Sequence, residues 1–288
     1  MRHFTRFACI DWSGAAGEPQ KGIAVAECGP GGTAPHLVGT PGHWSRQAVL
    51  DWLLRLADDR ADILVGVDFS SSFPFVDRGA FFPGWDRSPP DARSLWALVD
   101  EIARDEPHLG ANSFVDHAEA ALHFRRHGGR EGSLFGGGVG RMRAVEARTD
   151  ASPASSFNLV GAKQVGKSSL TAMRLLHRLS GRVPIWPFDS VPAHGPVLVE
   201  IYTSIAAMAA GRPRARSKAR DAASLVDALA KLDVPTPPLL DRWDDHSTDA
   251  IITAAWLRRA AHRPELWNPG PPFSSTLAAT EGWTFGVP

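Results

Sequence analysis

Ile63-Leu64-Val65-Gly66-Val67 carries no polar side chain and stops at Asp68. A strand that is apolar at every position is buried on both faces, so this run predicts the middle of a sheet covered by helices on either side. Two more apolar runs end in an acid, Phe7-Ala8-Cys9-Ile10 at Asp11 and Pro196-Val197-Leu198-Val199 at Glu200. The first is followed at hairpin distance by Gly22-Ile23-Ala24-Val25-Ala26 and then by the weaker Pro35-His36-Leu37-Val38, which reads as an antiparallel three-strand meander. Helical spacing recurs at Val49, Trp52, Leu53 and Leu56 behind Ser45 as N-cap, and at Ala92, Leu95, Trp96 and Val99 behind Ser88-Pro89-Pro90. Further helices are expected from about residue 114 to 126, around Ala172, Leu175, Leu176 and Leu179, around Leu225 to Leu232, and from about Ser247 to Ala261. The expected class is α/β, with a mixed sheet of meander plus parallel strands flanked by helices.

Composition narrows the partners. The 288 residues hold 31 basic and 31 acidic side chains, so a protein that coats nucleic acid by net charge alone is excluded, while a local basic groove is not. Hydrophobic residues at 43% and charged residues at 22% exclude disordered, collagen-like and coiled-coil chains. Two cysteines, Cys9 and Cys28, allow neither a disulfide framework nor a multi-cysteine zinc site and fit a reducing cytoplasm. With no run approaching the roughly 20 apolar residues of a membrane span, a soluble cytoplasmic protein is expected.

If the three acid-terminated strands run parallel, Asp11, Asp68 and Glu200 lie along one edge of the sheet, where open α/β sheets bind ligands. A fourth acidic group, Asp244-Asp245-His246-Ser247-Thr248-Asp249, opens the last helix and sets His246 and Asp249 on one helical face. Acids meeting from such distant positions repel unless a cation neutralises them, and Mg²⁺ or Mn²⁺ suits carboxylate oxygens. The same residues also have structural readings, as turn residues after strands and as helix caps.

Two other segments carry chemistry. Gly161-Ala162-Lys163-Gln164-Val165-Gly166-Lys167-Ser168 satisfies the P-loop pattern, which implies ATP and a phosphotransferase or ATPase. A P-loop ordinarily opens its own parallel sheet, however, and this one falls far from the N-terminus. Even without nucleotide chemistry, Lys163, Lys167 and Ser168 at a helix start could hold a substrate phosphate. Arg212, Arg214, Arg216, Lys218 and Arg220 alternate with small residues, as a solvated loop or as contacts to a phosphate backbone. Trp12, beside Asp11, is the tryptophan best placed to stack on a base.

Phe7-Ala8-Cys9-Ile10-Asp11-Trp12-Ser13-Gly14, Val65-Gly66-Val67-Asp68, Val199-Glu200-Ile201-Tyr202, Asp249-Ala250-Ile251-Ile252-Thr253-Ala254-Ala255 and the closing Glu281-Gly282-Trp283-Thr284-Phe285-Gly286-Val287 resemble a bacterial family classed as predicted nucleases of ribonuclease H fold. His246-Ser247-Thr248-Asp249 is also similar to the last-helix motif of RuvC-type junction resolvases. The resemblance runs in order along most of the chain and implies one ribonuclease H-like domain over residues 1–288. It implies metal ligation by Asp11, Asp68 and Asp249, with Glu200 as a further acid and His246 as a helper. The implied activity is metal-dependent hydrolysis of nucleic acid or of a smaller phosphoester, the alternatives being ATP chemistry at residues 161–168 or a non-catalytic binding protein of the same fold. Two features depart from the superfamily pattern. The first helix lacks the glutamate of ribonuclease H itself, and about residues 74–186 form a large, mostly helical elaboration with a mobile Gly-rich loop at 128–140.

Overall fold

The computed structural model describes residues 2–39, 43–149, 153–161, 164–213, 218–234, 240 and 243–288. Among them, β1 (Arg6–Asp11), β2 (Ala24–Cys28), β3 (His36–Leu37), β4 (Ile63–Asp68), β5 (Ile185–Trp186) and β6 (Val197–Ile201) form one sheet in the order β3-β2-β1-β4-β6-β5. β1, β2 and β3 pair antiparallel, as the meander requires, while β1, β4, β6 and β5 run parallel to one another. The all-apolar run at Ile63–Val67 is therefore an interior strand between β1 and β6, buried on both sides.

Alternation along these strands divides the interior in two. Ala8, Ile10, Val65, Val67 and Leu198 face α1 (Arg46–Asp58), α2 (Ala92–Ile102) and α4 (Gly166–Leu179). Phe7, Cys9, Leu64, Val199 and Ile201 face α6 (Ala222–Ala230) and α7 (Asp245–Ala260), with α5 (Thr203–Ala209) packed on α7. Shorter helices α3 (Asn112–Asp116), α8 (Pro264–Trp267) and α9 (Ser275–Thr280) complete the described set. The fold is α/β, with a six-strand mixed sheet flanked by helices. α7 lies against β1 and β2 and is buried almost around its circumference, so a Cβ at Gly66 would stand 2.8 Å from Leu257 Cδ1. That close approach explains the glycine inside an otherwise Val/Ile/Leu strand. No helix of the described residues is long and apolar enough to cross a membrane.

Several expectations shift. Ser45 caps α1 as expected, but α2 is capped by Asp91, which accepts from Ser94 N at 2.8 Å, rather than by the Ser-Pro-Pro segment. The stretch from 114 to 126 is not one helix: α3 stops at Asp116, His117 is extended, and a short 3-10 turn follows at Ala120–His123. Its aromatic residues instead fold inward, where Phe73, Phe82, Phe114, Phe124 and Phe157 pack ring on ring. β6 continues one residue beyond Glu200, and both β5 and α5 arise where no element was expected. The Gly-rich loop is tied to this aromatic layer by Gly132 N to Phe124 O and by Leu134 N to Leu122 O. The proline run at 235–238 lies outside the described residues.

His123 sits in the same aromatic layer, 2% exposed, with its ring 5.3 Å from that of Phe82 and Nδ1 without a hydrogen-bond partner. Burial, helped by the charge of Arg141, pushes the imidazole down to about 4. An unfolded histidine titrates near 6.5, so below that pH the unfolded chain takes up a proton that the folded chain refuses. Stability should therefore be lost as pH falls from about 6.5 to about 4, by about 2–3 kcal/mol at about 1.4 kcal/mol per pH unit. Urea unfolding of His123→Leu at pH 7 and 4.5 should show that this part of the loss is gone; an unchanged difference between the two pH values would refute it.

Candidate active site

Two strand ends create the site. Asp11 and Asp68 are register partners at the last positions of β1 and β4, on strands that lie roughly 4.8 Å apart. Both project from the sheet face that α7 covers, and the first turns of α7 bring His246 and Asp249 to the same edge. Asp244 caps that helix, accepting from Ser247 N at 2.9 Å, so the polar run before it is both a cap and a source of functional groups. His246 Nδ1 stands 3.0 Å from Asp11 Oδ2, Thr203 Oγ1 donates to Asp68 Oδ2 at 2.8 Å, and the Lys218 ammonium is ion-paired with Asp249.

Electrostatics couple these groups. Burial, with the negative charges of Asp11 and Asp249, pushes the Asp68 carboxyl up to about 7. Asp249 is pushed up to about 6 by burial, with Lys218 pulling the other way and Asp11 adding to the rise. The hydrogen bond to Asp11 raises the His246 imidazole against the effect of burial. Burial works against the Lys218 ammonium too, but the surrounding carboxylates, Asp249 first, outweigh it and hold Lys218 charged. Three acids at one sheet edge thus lack positive charge, and Lys218 and His246 supply part of it.

An all-oxygen donor set that is short of positive charge is the kind that hard divalent cations satisfy, so Asp11, Asp68 and Asp249 fit Mg²⁺ or Mn²⁺ by donor chemistry. As the side chains stand, no three His, Cys, Asp or Glu groups among the described residues close on a single ion. Asp249 is turned to Lys218 and Asp11 to His246.

Glu200 belongs elsewhere, a correction to its expected role as ligand or catalytic acid. It pairs with Val67 rather than Asp68, one residue out of step, and so projects from the opposite face of the sheet. Its two oxygens accept from Ser71 N (2.7 Å), Ser71 Oγ (2.6 Å), Arg143 Nη1 (2.9 Å), Arg143 Nη2 (2.7 Å) and Thr284 Oγ1 (2.5 Å). Although burial acts against ionisation, Arg143 outweighs it and holds Glu200 below the usual carboxylate range. Five donors leave no oxygen for a metal. The closing Glu281 is likewise structural, accepting from Phe75 N, Val76 N and Ala144 N at 2.6–2.9 Å.

The basic residues also separate. Lys218 neutralises the acids instead of projecting toward a phosphate backbone. Arg212 donates to Lys218 O at 2.7 Å and to Ser224 O at 3.2 Å, which holds the Lys218 backbone in place. Arg214, Arg216 and Lys163 lie outside the described residues. Lys167 Nζ stands 3.1 Å from His127 Nε2, and Ser168 Oγ donates to Val165 O at 2.7 Å. Arg125, Arg126 and His127 line a surface pocket together with Glu131, the two arginines pairing with Glu131 and Asp116, and Lys167 extends this rim at the start of the Gly-rich loop. Sequence reasoning did not single this rim out; the Arg-Arg-His run just before the glycines was its one signal.

The rim reaches the acids through a close backbone contact. A Cβ at Gly14, three residues after Asp11, would stand 2.4 Å from Ser168 N, so the loop leaving β1 lies directly on the start of α4. Gly14→Ala has to push these backbones apart and should cost about 1–3 kcal/mol, read as a lower thermal midpoint. An unchanged midpoint would show that the contact is loose.

Beside the acids, a cavity of about 180 Å³ opens between the sheet edge and the start of α4. Trp12 and Phe69, which directly follow Asp11 and Asp68, turn to the face opposite the acids and meet edge to face at 6.4 Å in its wall. Asp68, Ser168 and Tyr202 also border it. In comparisons with protein-family models, curated proteins and solved structures, the chain finds no match.

Proposed function

We propose that this chain is a cytoplasmic, divalent-metal-dependent hydrolase of phosphodiester bonds in nucleic acid, with a ribonuclease H-like fold elaborated between β4 and β6. The observation carrying this reading is the register pairing of Asp11 with Asp68 at the ends of adjacent parallel strands, with Asp249 of α7 in the same electrostatic field. A sheet in which an antiparallel meander joins parallel strands through β1 supports this reading. Asp11, Asp68 and Asp249 would hold Mg²⁺ or Mn²⁺, which when bound supplies Lewis-acid stabilisation of phosphoryl charge and an activated water.

The chain's own residues divide the remaining work. Thr203 fixes the orientation of the Asp68 carboxylate by donating to it. His246, kept more basic by Asp11, is a proton donor at this edge for a departing oxygen. Lys218 neutralises Asp249 through their ion pair. The rim of Arg125, Arg126, His127 and Lys167 supplies sequence-independent attraction for backbone phosphates.

The P-loop reading has less support. Among the described residues before α4, Asn158 forms an isolated bridge with Arg125 instead of a sheet strand, and Lys167 is directed to His127. A panel of single- and double-stranded DNA and RNA, incubated with Mg²⁺ or Mn²⁺ and with EDTA, tests the proposal. Metal-dependent cleavage is expected; absence of both cleavage and Mn²⁺ binding would overturn it.

A further inference from the structure

The cavity behind the acids is bordered by one of the proposed cation ligands, Asp68, and its position, size and lining suit a definite kind of ligand. It lies outside the carboxyl ends of the parallel strands β1, β4 and β6, and Asp68 stands at its border. Its wall is mostly apolar and partly flat: Trp12 and Phe69 from the strand ends, Val145 and Pro153 from the loops, Ile201 and Ile205 from β6 and α5. Trp12 Nε1 already donates to Thr171 Oγ1 at 3.1 Å, so the indole contributes its ring and not its donor.

Polar side chains interrupt this wall on several sides, among them Arg143 with its paired acids Glu146 and Glu200. Ser70 and the chain's single tyrosine, Tyr202, offer hydroxyls, Ser168 offers a hydroxyl oxygen as acceptor because its proton goes to Val165 O, and the buried Glu146 accepts from Arg143 with both oxygens. Burial, with the charges of Asp68 and Glu146, raises the Tyr202 phenol, so it remains a donor at neutral pH. A flat apolar slot with donors and acceptors at its edge matches a nucleobase, which stacks through its faces and pairs through its rim. At about 180 Å³ the cavity slightly exceeds one that holds benzene, about 150 Å³, and cannot take a base pair.

The geometry points to a subsite for one unpaired nucleobase, with its phosphoester extending past Asp68 to the carboxylates. This inference rests on the phosphodiesterase reading and narrows it: the substrate is a nucleotide unit whose base is out of a duplex, either free or in a single strand. A duplex would have to extrude the base first.

Calorimetric titration of the full chain in Ca²⁺ tests it with uridine 5′-monophosphate, ribose 5-phosphate, a single-stranded oligonucleotide and the same oligonucleotide as a duplex. The base should tighten binding about ten-fold or more over ribose 5-phosphate, and the single strand should bind tighter than the duplex. Preference for the oligonucleotide over the mononucleotide assigns the site to a strand, and the reverse assigns it to a free nucleotide. Filling the cavity through Ala154→Phe, or through Ile205→Trp should the first variant not fold, should erase the base-dependent gain while leaving Mn²⁺ binding intact. Equal binding of uridine 5′-monophosphate and ribose 5-phosphate, or a base-dependent gain that survives filling, would overturn the assignment. Mn²⁺ titration separates the two readings. Base binding without Mn²⁺ binding sinks the metal proposal alone, and Mn²⁺ binding without a base-dependent gain sinks the subsite alone.

Discussion

Asp68→Asn should lower phosphodiester cleavage by at least about 10³-fold and, in metal-free buffer at pH 8, make the protein more stable. Both effects come from one cause. The folded protein holds the Asp68 carboxyl near 7 through burial and the charges of Asp11 and Asp249, whereas an unfolded aspartate titrates near 3.9. Above pH 7 the folded state therefore carries an ionised group that the unfolded state accommodates more easily. The resulting penalty is full above the raised value and disappears as pH falls toward 4, opposite in sign to that of a salt-bridged aspartate. With partial neutralisation by Lys218, the penalty at pH 8 is on the order of 2–4 kcal/mol. Asparagine keeps an oxygen to accept from Thr203 and removes the charge, so the thermal midpoint should rise by roughly 4–8 °C at pH 8 and change little at pH 4. Wild-type turnover in Asp68→Asn, or a lower midpoint at pH 8, would remove Asp68 from the site.

Arg143→Met should have a large effect of opposite sign. Arg143 is 2% exposed and lies between two buried carboxylates, with Nε to Glu146 at 3.1 Å and two bonds to Glu200 at 2.7 and 2.9 Å. It also donates to Glu281 O at 3.0 Å, joining the loop after Gly140 to the C-terminal segment. Removing one partner of a buried ion pair leaves uncompensated charge, and here two acids lose it at once. The expected loss is about 3–5 kcal/mol, or a midpoint lower by roughly 6–15 °C. Glu200→Gln keeps the shape and most of the acceptor geometry and should destabilise less. Had Glu200 been one of the repelling acids, Glu200→Gln would stabilise the metal-free protein as Asp68→Asn should. Differential scanning calorimetry of Arg143→Met, Glu200→Gln and Asp68→Asn at one pH decides between these roles by sign.

Asp11, Asp68 and Glu200 show how far the sequence could be read. Each follows a run of apolar residues, and burial on both faces is written locally in such a run. The placement of Asp11 and Asp68 at neighbouring strand ends was legible for that reason. Glu200 looked identical, but β6 continues to Ile201 and its register sets Glu200 opposite Val67, so its side chain enters the other layer. With a period of two, a single residue decides between faces, and no local pattern states where a strand ends to within one residue. Lys218 was misread for a related reason. Its alternating basic context suggested an open phosphate contact, whereas the chain folds back over α7 and lowers its ammonium onto Asp249. The helix expected near 114–126 failed because its aromatic residues gain more by entering one shared layer than by continuing a helical stripe.

By itself, the sequence determined the α/β class, the central place of β4, the meander, the caps of α1 and α7, and the presence of acids at strand ends and at a helix start. These follow from periodicity and from side chains acting on backbone a few residues away. Only the tertiary structure decided which charges meet: His246 with Asp11 across 235 positions, Glu200 with Arg143 across 57, Lys167 with His127 across 40. The order of strands and the packing of α7 and α4 on opposite faces produce these pairs, and the cavity at Trp12 and Phe69 with them. Coulomb energy and desolvation depend on distance in space, which sequence spacing does not encode.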